Sequence, residues 1–303
     1  MNENRAWLID ASIYIFRAWF SLPDRWHTQK GQPVHAVYGY TKFLLDFIEE
    51  AGNTFWGGAA FDESLGSNYR NDIYAAYKSS RELPDDDLAF QLKACREMTE
   101  RLGLVCYGGP RYEADDYLAS LAHVCHENNI SVTVVTRDKD LGQIIQSPQD
   151  YWWDYAQGER LDSVTFEQKF GVKPHQFADY LALVGDPVDD IPGVPGIGAK
   201  TAARLLQSFS NLDTLAKGLG RVQELDIRGA ARVKQRLQEN WSQVLLARQL
   251  TGLEAHIPEV TEIPSFTLTR RGAQAALDYL CDLNLTGPLT RRCQKLVQEL
   301  PVE

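Results

Sequence analysis

The stretch "ISVTVVTRD", Ile130 to Asp138, is a short, β-branched apolar run that closes on an aspartate. Runs of this kind are strands buried on both faces, and they are too short to be ordinary helices. The pattern recurs upstream. "AWLID" ends at Asp10, "FWGGAAFD" at Asp62 and "LVCYGG" at Gly109. Helical patterns such as "GYTKFLLDFIEEAG" and "DDYLASLAHVCHENN" lie between these runs. Strands alternating with helices imply βαβ units, hence an α/β fold with a twisted, mostly parallel sheet covered by helices.

Composition agrees with a globular chain. Its 303 residues are 44% apolar and 24% charged, enough for one large domain or two ordinary ones. There is no apolar run of about 18 residues, so no membrane partner is expected. The start, "MNENRAWLID", lacks the basic region and long apolar segment of a secretory signal. Cys95, Cys106, Cys125, Cys281 and Cys293 are odd in number and lack zinc spacing, which suits reduced thiols in the cytoplasm. A net charge of −10 argues at face value against a nucleic-acid partner.

The acids themselves weaken that argument. Ligands of open α/β sheets bind beyond the carboxyl ends of the strands. Asp10, Asp62 and Asp138 follow strands directly, and Glu113, Asp115 and Asp116 follow the third by a short loop. Asp140 lies two residues beyond Asp138, and Asp186 and Asp189 open a Gly/Pro-rich segment. Taken singly, each is equally a turn or N-cap residue, and the acids of "RYEADDYLAS" (Arg111–Ser120) also complement a helix dipole. Recurrence after nearly every strand is harder to assign to turn chemistry. Two like charges about 4 Å apart repel by ~4 kcal/mol at an effective dielectric near 20, so a shared edge would need protons or cations. Oxygen ligands without Cys or His suit Mg²⁺ or Mn²⁺, and two such ions make a phosphodiesterase site. Setting the nine acids aside leaves a net charge of −1, and two divalent ions alone would bring it to −6.

Two basic segments supply a counterpart. An insertion at about 67–97 is polar and tyrosine-rich, and reads as two short helices with a bend near Pro84. Read as helix, "YRNDIYAAYKSSRELP" aligns Arg70, Tyr74, Tyr77, Lys78 and Arg81 in one stripe suited to phosphates and exposed bases. A solvated helix with tyrosines packed on the sheet is the alternative. Further on, "GDPVDDIPGVPGIGAKTAARLLQSF" (Gly185–Phe209) resembles a P-loop only superficially, because Ala199 occupies the lysine position. A helix–Gly turn–helix fits better, offering N–H groups, Lys200 and Arg204 to a DNA phosphate, or backbone carbonyls to a monovalent cation. An ordinary helix connection is the alternative here.

These stretches together resemble the 5′-nuclease family of flap endonucleases, in particular the 5′→3′ exonuclease domain of bacterial DNA polymerase I and its free-standing relatives. "LIDAS", "GQPVHAVYGY", "FD", "YRNDIYAAYKSSRELP", "YEADD", "TRDKDL" and "GDPVDDIPGVPGIGAKTA" run in family order over roughly residues 5 to 250. The resemblance implies a PIN-like core at 1–180 with a helical arch, and a helix-three-turn-helix DNA-binding region of helix-hairpin-helix type at 181–260. The remaining 261–303 would pack on the core. Carried over by position, Asp10, Asp62, Glu113 and Asp115 resemble ligands of a first metal, with Asp116 beside them. Asp138, Asp140, Asp186 and Asp189 resemble a second group. Lys78 and Arg81 match the pair that clamps the scissile phosphate, and Tyr77 a ring that stacks on the terminal base. Arg70 and Tyr74 would extend that DNA contact. Gly193, Gly196 and Gly198, with Lys200, Thr201 and Arg204, match the element that grips duplex DNA, where K⁺ can bind.

Asp190 stands where the family usually has Asn, a departure that bears on metal affinity. The second acidic group is kept whole, and no polymerase domain is expected within this length. The expectation is a two-metal, Mg²⁺- or Mn²⁺-dependent 5′ nuclease acting on DNA flaps, overhangs and junctions, and on RNA primer strands. It would be a monomer in the bacterial cytoplasm, associated with the nucleoid. The alternatives are an inactive branched-DNA-binding protein and a metal-dependent ribonuclease of the same fold class.

Overall fold

The computed structural model describes residues 4–64 and 68–302; Ser67, where the insertion was expected to begin, lies outside them. In chain order the first elements are β1 (Arg5–Asp10), α1 (Ala11–Ser21), α2 (His35–Ala51), β2 (Thr54–Ala60), α3 (Tyr69–Ile73), α4 (Asp86–Arg101), β3 (Cys106–Tyr107), α5 (Ala114–Glu127) and β4 (Ser131–Val135). Then come β5 (Tyr151–Asp154), β6 (Glu159–Leu161), α6 (Ser163–Phe170), α7 (Phe177–Val184), β7 (Gly185–Asp186), β8 (Ile191–Pro192), α8 (Ala199–Phe209) and α9 (Leu212–Lys217). The last are α10 (Ala230–Glu239), α11 (Trp241–Thr251), β9 (Ser265–Thr267), α12 (Arg270–Asp282) and α13 (Pro288–Glu299). They group into two compact units: Met1–Glu63 with Glu82–Arg137 and Ala255–Glu303, and Ser64–Arg81 with Asp138–Glu254. These units cut the chain at other points than a linear division at 180 and 260.

In the first unit the strands run β3-β2-β1-β4, all parallel, and β9 pairs antiparallel with the start of β2. Leu8, Ile9, Ala59, Ala60, Val134 and Val135 are fully buried, which is why these strands read as apolar runs without alternation. Gly57, at φ +143°, lets β2 approach β1, since a Cβ there would meet the Trp7 carbonyl oxygen at 1.9 Å. Asp10 pairs with Ala60 and Ile9 with Val135, so β1, β2 and β4 end at one edge. The final helices belong to this unit: α12 packs on α4, and Arg292 of α13 pairs with Asp46 and Glu49 of α2. Strand β9 has only three residues, too few to show a period.

The second unit carries the β5-β6 hairpin, the short β7-β8 ribbon and helices α6 to α11. The helix–Gly turn–helix reading holds: α7 leads through the ribbon and the loop to α8. Buried Val194 and Ile197 anchor that loop, and the Val194 N–H donates to the Leu183 carbonyl at 2.9 Å. Ala202, Leu205, Leu206 and Phe209 form the buried face of α8, leaving Lys200 and Arg204 exposed.

The basic stripe is not a helix. Helix α3 stops after five residues at Tyr74, which is extended (φ −146°, ψ 103°), and Lys78 takes a left-handed conformation at φ 52°. The cause is local. Asn71 spends its side-chain amide on the Tyr77 carbonyl at 2.9 Å, which favours a turn over a further helical turn. Arg70 points inward, 2% exposed, and donates from Nε to the Leu250 carbonyl and from Nη2 to the Gly252 carbonyl, both at 2.9 Å. Its guanidinium therefore ties the start of the insertion to the end of α11. Replacing Arg70 by Ala should orphan those carbonyls and cost about 2–3 kcal/mol, read as a lower denaturant midpoint at unchanged m-value.

Candidate active site

In the first unit the acids are built into helix starts. Asp10 caps α1, accepting the Ile13 N–H at 3.3 Å, and its other oxygen accepts the Thr136 hydroxyl at 2.8 Å. It is 4% exposed and fixed by both contacts. Asp62 lies two residues past β2, its N–H donating to the Ser12 hydroxyl at 2.8 Å. Glu113 caps α5 and is buried, and Asp116 reaches back to accept the Glu113 N–H at 3.1 Å. Asp116 is fully buried, so the capping reading of this residue holds. Asp115, on the same first turn, is half-buried. Because α5 packs on β1 and β2, its start lies at the edge where those strands end.

The second unit holds the remaining four acids. Asp138 caps the 3₁₀ turn Lys139–Ile144, accepting the Asp140 N–H at 2.9 Å. Asp186 caps the turn Pro187–Asp189, accepting the Val188 N–H at 2.9 Å. Lys139 joins the two turns, with its ammonium 3.0 Å from Asp186 and 3.2 Å from Asp140. Burial and the neighbouring Asp138 charge push the Asp140 carboxyl up to about 7. Burial works against the Lys139 charge, but Asp140, Asp186 and Asp138 outweigh it and raise its pKa. Asp140 Oδ1 is buried with no well-oriented hydrogen-bond donor, its contact being the Lys139 ammonium. An oxygen-only set with one atom left over in a strongly negative site fits a hard divalent cation. Among the described residues, no three carboxylate, imidazole or thiolate groups stand in a ready-made ligand arrangement. Lys139 itself was not singled out from the sequence, although its place between two acids in "RDKD" was the available signal.

Asp189 carries the cations of the insertion. Arg81 donates to Oδ1 at 2.6 Å, Lys78 stands 3.7 Å from Oδ2, and the Tyr77 hydroxyl donates to Oδ2 at 3.3 Å. Tyr77 is 3% exposed, with the Lys78 ammonium 5.1 Å and the Arg70 guanidinium 5.9 Å from its ring centre. In this conformation its face is no base platform, and Tyr74 is half-buried. The pairing of Lys78 with Arg81 survives the loss of the helix, because both converge on one carboxylate.

In the Gly-rich loop, Gly196 (φ +74°) turns the chain, while Gly198 caps α8 without a side chain. Lys200 and Arg204 are exposed beside it and Thr201 is half-buried. The Gly193 carbonyl accepts from Gln243 at 2.7 Å and that of Gly196 from Arg236 at 3.1 Å. A groove that sequence reasoning missed runs along α1. Ile13, Phe16, Arg17, Phe20, Ser21 and Arg137 line it, and Phe20 is 79% exposed.

The Asp140 shift carries a pH prediction. Its carboxyl binds a proton more tightly folded (about 7) than unfolded, roughly 3.9. The resulting stabilisation is complete below the unfolded value and is lost as pH rises through 7. In EDTA, Asp140→Asn should therefore gain stability relative to wild type between pH 5 and pH 8, by on the order of 1–3 kcal/mol. Thermal unfolding at the two pH values checks this, and saturating Mg²⁺ should close the gap at pH 8.

Residues 5–171 match the family described as 5′-3′ exonuclease, N-terminal resolvase-like domain, and residues 172–274 that described as 5′-3′ exonuclease, C-terminal SAM fold. DNA polymerase I of Rhizobium leguminosarum is 32% identical over 94% of this chain and 28% of its own length. The 5′-3′ exonuclease of Buchnera aphidicola is 29% identical over 85% of this chain and 89% of its own. The chain thus spans 28% and 32% of the length of two polymerase relatives, from Rhizobium leguminosarum and Thermus caldophilus. Among solved structures, the bacteriophage T5 5′-exonuclease covers 98% of both chains at a TM-score of 0.60 and 14% identity. The catalytic core of Rad2 in complex with DNA substrate covers 98% of this chain and 92% of its own at 0.64 and 15%. At that identity the likeness is one of fold, a mostly parallel sheet followed by a helical region. With two family domains matched in order along one chain, the protein belongs to the 5′-3′ exonuclease family.

Proposed function

We propose that this chain is a divalent-cation-dependent, structure-selective 5′ nuclease that hydrolyses DNA phosphodiesters at 5′ flaps, overhangs and branched ends. The observation that carries the reading is the second acidic group. Its crowded oxygens are balanced by Lys139, and its Asp189 holds Lys78 and Arg81, the two cations best placed to take a phosphate. Asp10, Asp62, Glu113 and Asp115, with Asp116 behind them, would hold one Mg²⁺ or Mn²⁺. Asp138, Asp140, Asp186 and Asp189 would hold another. Bound there, such ions supply an activated water and charge neutralisation at the leaving oxygen.

The protein groups do the rest. Lys78 and Arg81 turn from Asp189 to the scissile phosphate and stabilise its developing charge. Water oxygen bonds to phosphorus as the P–O3′ bond breaks, leaving a 5′-phosphate and a 3′-hydroxyl. The α8 N-terminus, Gly193, Gly196, Gly198, Lys200, Thr201 and Arg204 would grip duplex phosphates. K⁺ at that turn would share the Gly193 and Gly196 carbonyls with Gln243 and Arg236. The α1 groove, lined by Phe20, Arg17 and Arg137 among others, suits unpaired bases and their phosphates. RNA primer strands are a second substrate of the same chemistry, and a monomer in the bacterial cytoplasm, at the nucleoid, is the setting that fits it. No helix of the described residues is long and apolar enough to cross a membrane.

The test is a 5′-flap duplex labelled at its 5′ end. Wild type should release short 5′-phosphorylated products with Mg²⁺ and none with EDTA. Lys78→Ala and Arg81→Ala should each lower kcat by about 10²–10³, and Asp10→Ala should abolish turnover while keeping the circular dichroism of wild type. An intact flap with both Mg²⁺ and Mn²⁺, indistinguishable from Asp10→Ala, would sink the reading.

A further inference from the structure

The turn between β7 and β8 and the turn of the insertion hold each other by more than side-chain charge. The Lys78 N–H donates to the Asp189 carbonyl at 3.0 Å, and the Ser80 N–H donates to Asp190 Oδ2 at 2.8 Å. Each turn contains a non-glycine residue in the left-handed region, Lys78 at φ 52° and Asp190 at φ 56°. An aspartate tolerates that conformation, whereas a lysine takes it at a cost. The two hydrogen bonds from backbone N–H groups are what the structure sets against that cost. They differ in kind from the Lys78 and Arg81 ion pairs with Asp189. A phosphate can take the cations from Asp189 without breaking the Ser80 N–H bond to Asp190 Oδ2, because that bond involves neither cation.

We propose that Asp190 is a positioning residue for the phosphate clamp. By accepting the Ser80 N–H it docks the Tyr77–Arg81 turn on the Asp189 turn. The dock persists while Lys78 and Arg81 exchange carboxylate for phosphate, so both cations stay on the frame that carries a metal-ligand carboxylate. In this role Asp190 contacts neither the scissile phosphate nor the attacking water. The inference rests on the reading of Lys78 and Arg81 as phosphate ligands.

Two variants separate this role from a plain turn residue. Asp190→Gly keeps the left-handed backbone but removes the acceptor, and Asp190→Asn keeps both. Amide hydrogen exchange of the full chain in EDTA reads the dock directly, and kcat and KM on the flap duplex with Mg²⁺ read its consequence. In Asp190→Gly the Ser80 amide should exchange about fivefold to tenfold faster, with unchanged exchange in the sheet. KM should rise and kcat/KM should fall by a similar factor. Asp190→Asn should restore slow exchange and the wild-type KM. Wild-type exchange at Ser80 in Asp190→Gly would overturn the proposal. So would faster exchange with unaltered kinetics, or an Asp190→Asn variant no better than glycine. Failure of the wild type to cut any flap would instead overturn the reading of Lys78 and Arg81 beneath it, whatever the exchange rates.

Discussion

A parallel sheet puts the carboxyl ends of its strands on one edge, and in this chain that constraint gathers negative charge. Strands β1, β2 and β4 are buried on both faces, so chemistry can be carried only where the chain leaves them. Five of the nine acids also have a local structural bond. Asp10 and Glu113 start helices, Asp116 closes the start of α5, and Asp138 and Asp186 start 3₁₀ turns. Capping and ligation are therefore not rival explanations. A carboxylate with one oxygen bonded to a nearby N–H is already oriented, and its other oxygen is aimed by the same bond.

Crowding such groups has an electrostatic cost that water offsets only in part, and the second unit shows how the chain meets it. Pairs of like charges about 4 Å apart repel by ~4 kcal/mol at moderate dielectric. Asp140 and Asp186 share the Lys139 ammonium, and Asp189 has Lys78 and Arg81. The residual strain shows at Asp140, the carboxyl raised to about 7. The protein's own cations thus offset part of the repulsion among these acids, and two of them, Lys78 and Arg81, are the groups proposed to serve the reaction.

The fold was legible where the signal was long. Strands β1, β2 and β4 and their acids stood out because burial leaves unbroken apolar runs. The helix–Gly turn–helix was readable because α8 keeps strict helical spacing from Ala202 to Phe209. Short or non-local elements were not. Strand β9 and the β7-β8 ribbon have three and two residues to a strand, and their pairing depends on partners distant in sequence or on a turn. The insertion was misread for a sharper reason. Arg70, Tyr74, Tyr77, Lys78 and Arg81 recur at helical intervals, but Asn71 bonds the Tyr77 carbonyl and ends the helix. The residue carrying most helical promise for DNA, Arg70, is buried on two carbonyls. Lys78 and Arg81 still meet, on Asp189 rather than along a helix face.

That meeting separates two kinds of counter-charge. Lys139 sits in sequence between Asp138 and Asp140, so its charge cannot travel far from the acids it balances. It reduces the net negative charge of the group permanently, which would limit how tightly the proposed divalent ion is held there. Arg81 is 108 residues from Asp189, and its contact there is exposed on the arginine side. Exposed ion pairs are weak and exchange readily, so a phosphate can take this cation at little cost. The proposed cleavage of a polyanion would use both: one charge that stays with the acids and two that can be passed to the substrate.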